Sequence, residues 1–177
     1  FDDAEAGDKE RWFDNHDFGK RIQVPFSFQS KLSGIADPAF HDVVWYRKQV
    51  TLPDSYAGRR ILLHFGAVDY ECRVWVNGQL VGFHEGGHTP FHFDVTNVVR
   101  RGDNTIVVKA KDFSRDLALP NGKQYWKEES EGIWYTRTSG IWQTVWIEAV
   151  SDIYLDKVKM TPDIDVNEIG IRAYVKG

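Results

Sequence analysis

The chain has 177 residues, 42% of them hydrophobic, which suits one domain with its own core or one domain plus a fragment. The formal net charge is −4 and no basic patch stands out, which argues against a nucleic-acid partner. No apolar run approaches membrane-spanning length, and the one cysteine, Cys72, excludes an intrachain disulfide and reads as a small buried hydrophobe.

Seven tryptophans and 14% aromatic residues favour strands, where flat side chains pack on a pleated surface. Indole rings also suit the C–H face of a pyranose. The start at Phe1, without Met or a signal sequence, reads as a cut piece or a mature form, which leaves bacterial cytoplasm and periplasm both open.

Residues 1–20 are polar and charged and read as an irregular surface lead-in anchored by Trp12, Phe13 and Phe18. Ile22 to Phe26 reads as a short extended piece ended by Pro25, and Ser27 to Phe40 as loop. Val43 to Leu52 is a strong strand: Val44, Tyr46, Lys48 and Val50 alternate with Val43, Trp45, Arg47 and Gln49. Arg60 to Phe65 is the next, ending at Gly66. Cys72–Val76 and Gln79–Phe83 flank Asn77-Gly78, a pair that favours a type I′ hairpin because both central residues need positive φ.

His84-Glu85-Gly86-Gly87-His88 matches the zinc-protease pattern H-E-x-x-H. That chemistry needs a helix, on which positions i and i+4 share a face. The two glycines and Pro90 oppose a helix, so the stretch is expected to be a glycine-rich connection without metal. The comb His84, His88, His92 fails for the same reason.

Phe91–Val95 and Thr105–Ala110 are further strands, with Arg101–Asn104 read as a turn. Asp112 to Ser139 has no sustained period and is long for a connection, a property that goes with function. Gly140 to Val150 resumes as a strand, with Trp146 expected in the core. Ile153–Thr161 and Ile169–Val175 are two more, around a turn at Pro162-Asp163. Strands at this spacing, with no helical period over three turns, predict an all-β sandwich or barrel.

An ordered set of segments then resembles one family. The segments are Ile22–Phe26, Ser33-Gly34-Ile35, Val44–Arg47, Trp75–Gly78, Gly86–Phe91, Phe93–Thr96, Gly102–Asn104, Gly122–Gln124 and Tyr135–Glu148. Together they resemble the N-terminal sugar-binding domain of glycoside hydrolase family 2, which includes β-galactosidases, β-glucuronidases and β-mannosidases. The resemblance implies a jelly-roll β-sandwich over 1–150. It implies that 151–177 opens an immunoglobulin-like sandwich, and that a TIM barrel beyond carries the two catalytic glutamates. On that reading the parent protein is a retaining β-glycosidase, and this piece, which binds no cofactor, has no turnover of its own. Its partners are a carbohydrate substrate and the rest of the glycosidase chain, and a homo-oligomer is compatible with it.

The resemblance also implies that an Asp in the loop after Thr105–Ala110 contacts the sugar, and Asp112 is the nearest match; the alternative is a turn-capping Asp. Gln124, Tyr125 and Trp126 are able to hydrogen-bond and stack on a sugar, or else they anchor the loop to the sandwich. Arg137 and Trp142 are expected to brace its base. Glu128, Glu129 and Glu131 are expected to be solvated rather than catalytic, because a retaining pair must sit about 5 Å apart across one bond. Two other functions stay open: a stand-alone carbohydrate-binding module and an assembly domain.

Overall fold

The computed structural model describes residues 1–113, 115–116 and 118–177. Eleven strands dominate them: β1 (Val43–Leu52), β2 (Arg60–Phe65), β3 (Val68–Asp69), β4 (Glu71–Val76), β5 (Gln79–Glu85), β6 (Phe91–Asp94), β7 (Gly102–Lys111), β8 (Gly140–Ile141), β9 (Val145–Val150), β10 (Tyr154–Asp163) and β11 (Glu168–Lys176). The α-helix among the described residues is the single turn Trp12–Asn15.

One sheet has the order β1-β7-β4-β5 and the other β6-β2-β9, all antiparallel. Alternation explains what lies between them. Val44, Tyr46 and Val50 face inward from β1, Ile106, Val108 and Ala110 from β7, and Cys72, Val74 and Val76 from β4. Ile61, Leu63 and Phe65 of β2 meet them from the opposite sheet. Cys72 is buried in this core, and burial pushes its thiol up to about 12, so it is an inert hydrophobe rather than a nucleophile.

The four-stranded sheet is buried on its other face too. Val43, Trp45, Trp75 and Val107 form a second cluster, covered by Trp12, Phe13 and Phe18. Phe13 stacks on Trp75 at 5.1 Å, and Trp45 stacks on Trp75 at 5.4 Å. The lead-in is therefore a strap, with its three expected anchors in place. Asp2, 2% exposed, fixes its start by accepting from the Ala6 and Gly7 amides and from Trp45 Nε1. Lys109 Nζ reaches Asp8 Oδ2 at 2.5 Å across the strap.

The Asn-Gly hairpin forms as read. Asn77 has φ 51° and Gly78 φ 79°. The Asn77 amide donates to Val98 O and Asn104 Oδ1 and accepts from Thr105 N, which ties the turn to the start of β7.

Five expectations need correction. Ile22 to Phe26 is a turn rather than an extended strand, its Phe26 amide donating to Gln23 O. Arg101–Asn104 is not all turn: β7 already begins at Gly102, whose φ of 77° swings the chain into the sheet. The run 140–150 breaks into β8 and β9, because β8 leaves to pair with β3 while β9 pairs with β2. Pro162 and Asp163 lie inside β10, opposite Ile169 and Glu168, so the turn falls at 164–167. Trp146 is on the outer face of its sheet, 44% exposed and stacked on His64 at 4.8 Å. Period-two alternation puts Val145 and Ile147 inward and leaves Trp146 outward.

The H-E-x-x-H residues are spread over β5 and the connection after it, so the helix that motif requires does not form. His84 stacks on Phe91 at 3.9 Å, and His88 packs edge-on against Trp142.

Candidate functional site

The end of the sandwich where β7 finishes and β3 pairs with β8 gathers the polar residues of the long 112–139 segment. Asp69, the last residue of β3, is 6% exposed and pairs in register with Gly140. Asp112, one residue beyond β7, is 7% exposed and accepts a hydrogen bond from Ser139 Oγ at 2.5 Å. Its backbone amide donates to Asp42 O.

Burial raises both carboxyls, because the charged form loses its water. For Asp112 the Ser139 hydrogen bond opposes the rise, while the nearby charges of Asp69 and Asp42 add to it; the result is about 6. Asp69 is raised by the same desolvation, opposed by Gln124 and by His88. Both buried carboxyls therefore hold their protons to higher pH than a solvated aspartate does.

Gln124 joins this pair to the loop. Its Nε2 donates to Asp69 Oδ2 at 3.0 Å, and its Oε1 accepts from Thr138 N at 2.7 Å. Tyr125 is 4% exposed; its hydroxyl donates to Glu131 Oε2 at 2.7 Å and its backbone amide to Tyr135 O. Arg137, 3% exposed, donates to the carbonyls of Tyr125, Lys127 and Pro38 and lies over the Phe40 ring. Trp142 Nε1 donates to Gly87 O at 2.8 Å. Arg137 thus holds carbonyls of the loop, as the sequence suggested, whereas Trp142 bonds to the connection after β5 instead.

Trp126 stands apart. Its ring is 53% exposed, held edge-on by Tyr125 at 4.7 Å and Trp134 at 5.0 Å. Tyr135, 62% exposed, offers a second aromatic surface on the same segment. Glu128, Glu129 and Glu131 are all exposed, and Glu131 is held below the usual carboxylate range by the Tyr125 hydroxyl and Lys127.

The sequence singles out Asp112, Gln124, Tyr125 and Trp126; in the fold the first three bond to separate partners, Asp112 to Ser139, Gln124 to Asp69 and Thr138, and Tyr125 to Glu131. The sequence does not single out Asp69. Val68-Asp69 follows Gly66 in a short polar-ended stretch, and the partners that bury the carboxyl, Gln124 and Gly87, come from far along the chain. In the fold a Cβ on Gly87 would overlap the Asp69 carboxylate, so this glycine allows the close approach.

Residues 2–150 match the family described as glycosyl hydrolases family 2, sugar binding domain. The chain is 31% identical over 140 residues to a β-galactosidase of Thermoanaerobacter pseudethanolicus, a match covering 76% of this chain and 18% of that protein. It is 27% identical over 170 residues to a β-glucuronidase of Rattus norvegicus, covering 86% and 26%. A solved Ruminococcus gnavus β-glucuronidase bound to D-glucaro 1,5-lactone shares the fold, with TM-score 0.79 and 23% identity, over all of this chain and 32% of that one. The chain therefore spans about a fifth to a third of the length of these relatives.

Proposed function

We propose that this chain, which belongs to the sugar-binding domains of glycosyl hydrolase family 2, works as the non-catalytic N-terminal domain of a longer retaining β-glycosidase. Its 112–139 segment reaches substrate that is bound and cleaved elsewhere in that protein. The observation that carries the reading is Trp126, an indole half open to solvent and held edge-on by the buried Tyr125 and by Trp134. An exposed aromatic plane on a rigid support stacks on a sugar at little entropic cost. Asp112, Gln124 and Tyr125 set the height and angle of that plane through Ser139, Asp69 and Glu131.

The tail supports a continuation of the chain. Among the described residues β10 and β11 pair with each other and with no other strand, and Leu155, Val158, Met160, Ile169, Ile171 and Val175 are all exposed. A lone two-stranded hairpin is marginal in water, and such an apolar surface marks an interface. We read 151–177 as the opening of a second sandwich, completed by the part of the longer protein that its relatives have and this chain does not span. Glu128, Glu129 and Glu131 are all exposed, and we assign the carboxylate pair for retaining hydrolysis to that further part.

Steady-state kinetics of the longer protein on nitrophenyl glycosides test the role. Trp126→Ala is expected to lower kcat/KM about tenfold, as the loss of one sugar–aromatic contact of about 1–1.5 kcal/mol gives. Asp112→Asn is expected to lower it less, because Asn still accepts from Ser139. Wild-type kinetics in both variants would remove the substrate-contact role and leave the fold assignment standing.

A further inference from the structure

The end of the sandwich opposite the 112–139 segment holds a cavity of about 530 Å³. Its position follows from register: Leu52 pairs with Gly102, Leu62 with Asp94 and Arg60 with Val150 at this end, whereas Val43–Lys111 and Asp69–Gly140 lie at the other. The turn 53–59, the connection 95–101 and the start of the tail at Asp152 form its walls. The volume lies within the roughly 300–1,000 Å³ of small-molecule sites.

Four guanidinium groups line it, and they are committed to different degrees. Arg60 Nη1 donates to Asp94 Oδ2 at 2.7 Å, and the Arg60 guanidinium lies over the Tyr154 ring. Arg100 Nε donates to Asp103 O at 3.0 Å. Arg59 and Arg101 are exposed and, among the described residues, have no hydrogen bond or ion pair to their side chains. Two carboxylates on the same walls, Asp54 and Asp152, are likewise exposed and unpaired among the described residues. Tyr56, half-buried in the turn, adds an aromatic surface.

We propose that this cavity is a second saccharide site, selective for a short oligosaccharide carrying an acidic group, a carboxylate or a sulfate ester. A guanidinium fork matches such a group through two parallel N–H bonds. Asp54 and Asp152 accept from sugar hydroxyls, each carboxylate having room for two. A bare inorganic anion offers these two carboxylates no hydroxyl to bind, so it forgoes that part of the interaction. The mixture of free guanidinium and free carboxylate thus fits a ligand that is acidic at one point and hydroxylated elsewhere. The site is remote from Trp126, so it tethers substrate chains rather than positioning the reacting bond.

Calorimetry and amide NMR titrations of the 177-residue chain test this, with a glucuronate-terminated tetrasaccharide, its carboxyl-reduced counterpart and sodium sulfate as probes. The acidic tetrasaccharide is expected to bind saturably and to shift the amides of Gly58, Thr96 and Gly102 while the Trp126 indole stays unmoved. The reduced sugar should bind about tenfold or more weakly, the usual weight of hydrogen bonds to a charged group. The double variant Arg59→Ala, Arg101→Ala should lose affinity for the acidic sugar by a similar factor. Both positions are exposed, and the comparison of the two sugars on the unaltered chain does not depend on the variant folding. Absence of saturable shifts at this end, equal binding of the two sugars, unchanged affinity in the double variant, or displacement by sulfate at equal concentration would each overturn the proposal.

Discussion

At Asp112 one side chain sets both an expectation for pH and a limit on substitution. Its carboxyl titrates near 6 in the folded chain against 3.8 unfolded, chiefly through desolvation. An acid raised by folding holds its proton longer in the native state, so its contribution to stability is complete below about pH 4 and is lost as pH rises through 6. A shift of that size corresponds to about 2–3 kcal/mol. Asp112→Asn keeps an acceptor for Ser139 and removes the titration. The difference in unfolding free energy between wild type and this variant, measured by urea titration, should therefore move against wild type between pH 4 and pH 6. A difference independent of pH would mean that the carboxyl is ordinary. Gly87 offers a companion test: a Cβ there would strike the Asp69 carboxylate, so Gly87→Ala should cost about 1–3 kcal/mol, the usual range for overpacking a closed site. Unchanged unfolding would mean that Asp69 swings away freely.

Elements differ in how far the sequence discloses them. β1 and β2 alternate in period two and stop at Pro53 and Gly66, so both their limits and their inward faces were legible; β4, β5 and β7 were legible in their alternation, but β5 runs on to Glu85 and β7 begins at Gly102. Asn77-Gly78 was legible because its backbone demand is local. β3 and β8 were not, because two-residue strands exist only through their mutual pairing, about seventy residues apart in the chain. The candidate site divides the same way. Asp112 and the aromatic segment stood out by position and composition. The Asp69–Gln124 link did not, since nothing local marks a carboxylate whose partner lies 55 residues on. The strap is the element whose weight the sequence understated. Asp2 satisfies two amides and the Trp45 indole in a buried setting, so Asp2→Ala should destabilise the chain by about 2–3 kcal/mol. It should also expose Trp45, with a red shift in its fluorescence. Unaltered emission and stability would mean that Trp12, Phe13 and Phe18 hold the strap without that anchor.

On the scale of the molecule, the two ends of one sandwich are chemically distinct. One end gathers the buried acids Asp69 and Asp112; the other opens a cavity of arginine and aspartate. Between them lies a core closed on both faces of the larger sheet, a rigid frame on which loops hold their shape. The β10–β11 hairpin leaves this frame with its apolar side chains uncovered, which suits a domain built to be continued. We propose that the frame supports glycoside cleavage by a longer protein without performing it. Release of nitrophenol from nitrophenyl β-galactoside and β-glucuronide, by the 177-residue chain alone and by the longer protein, tests that claim most directly. Release is expected from the longer protein and none above background from the chain. Release by the chain alone, abolished by Glu128→Gln or Glu129→Gln, would contradict it.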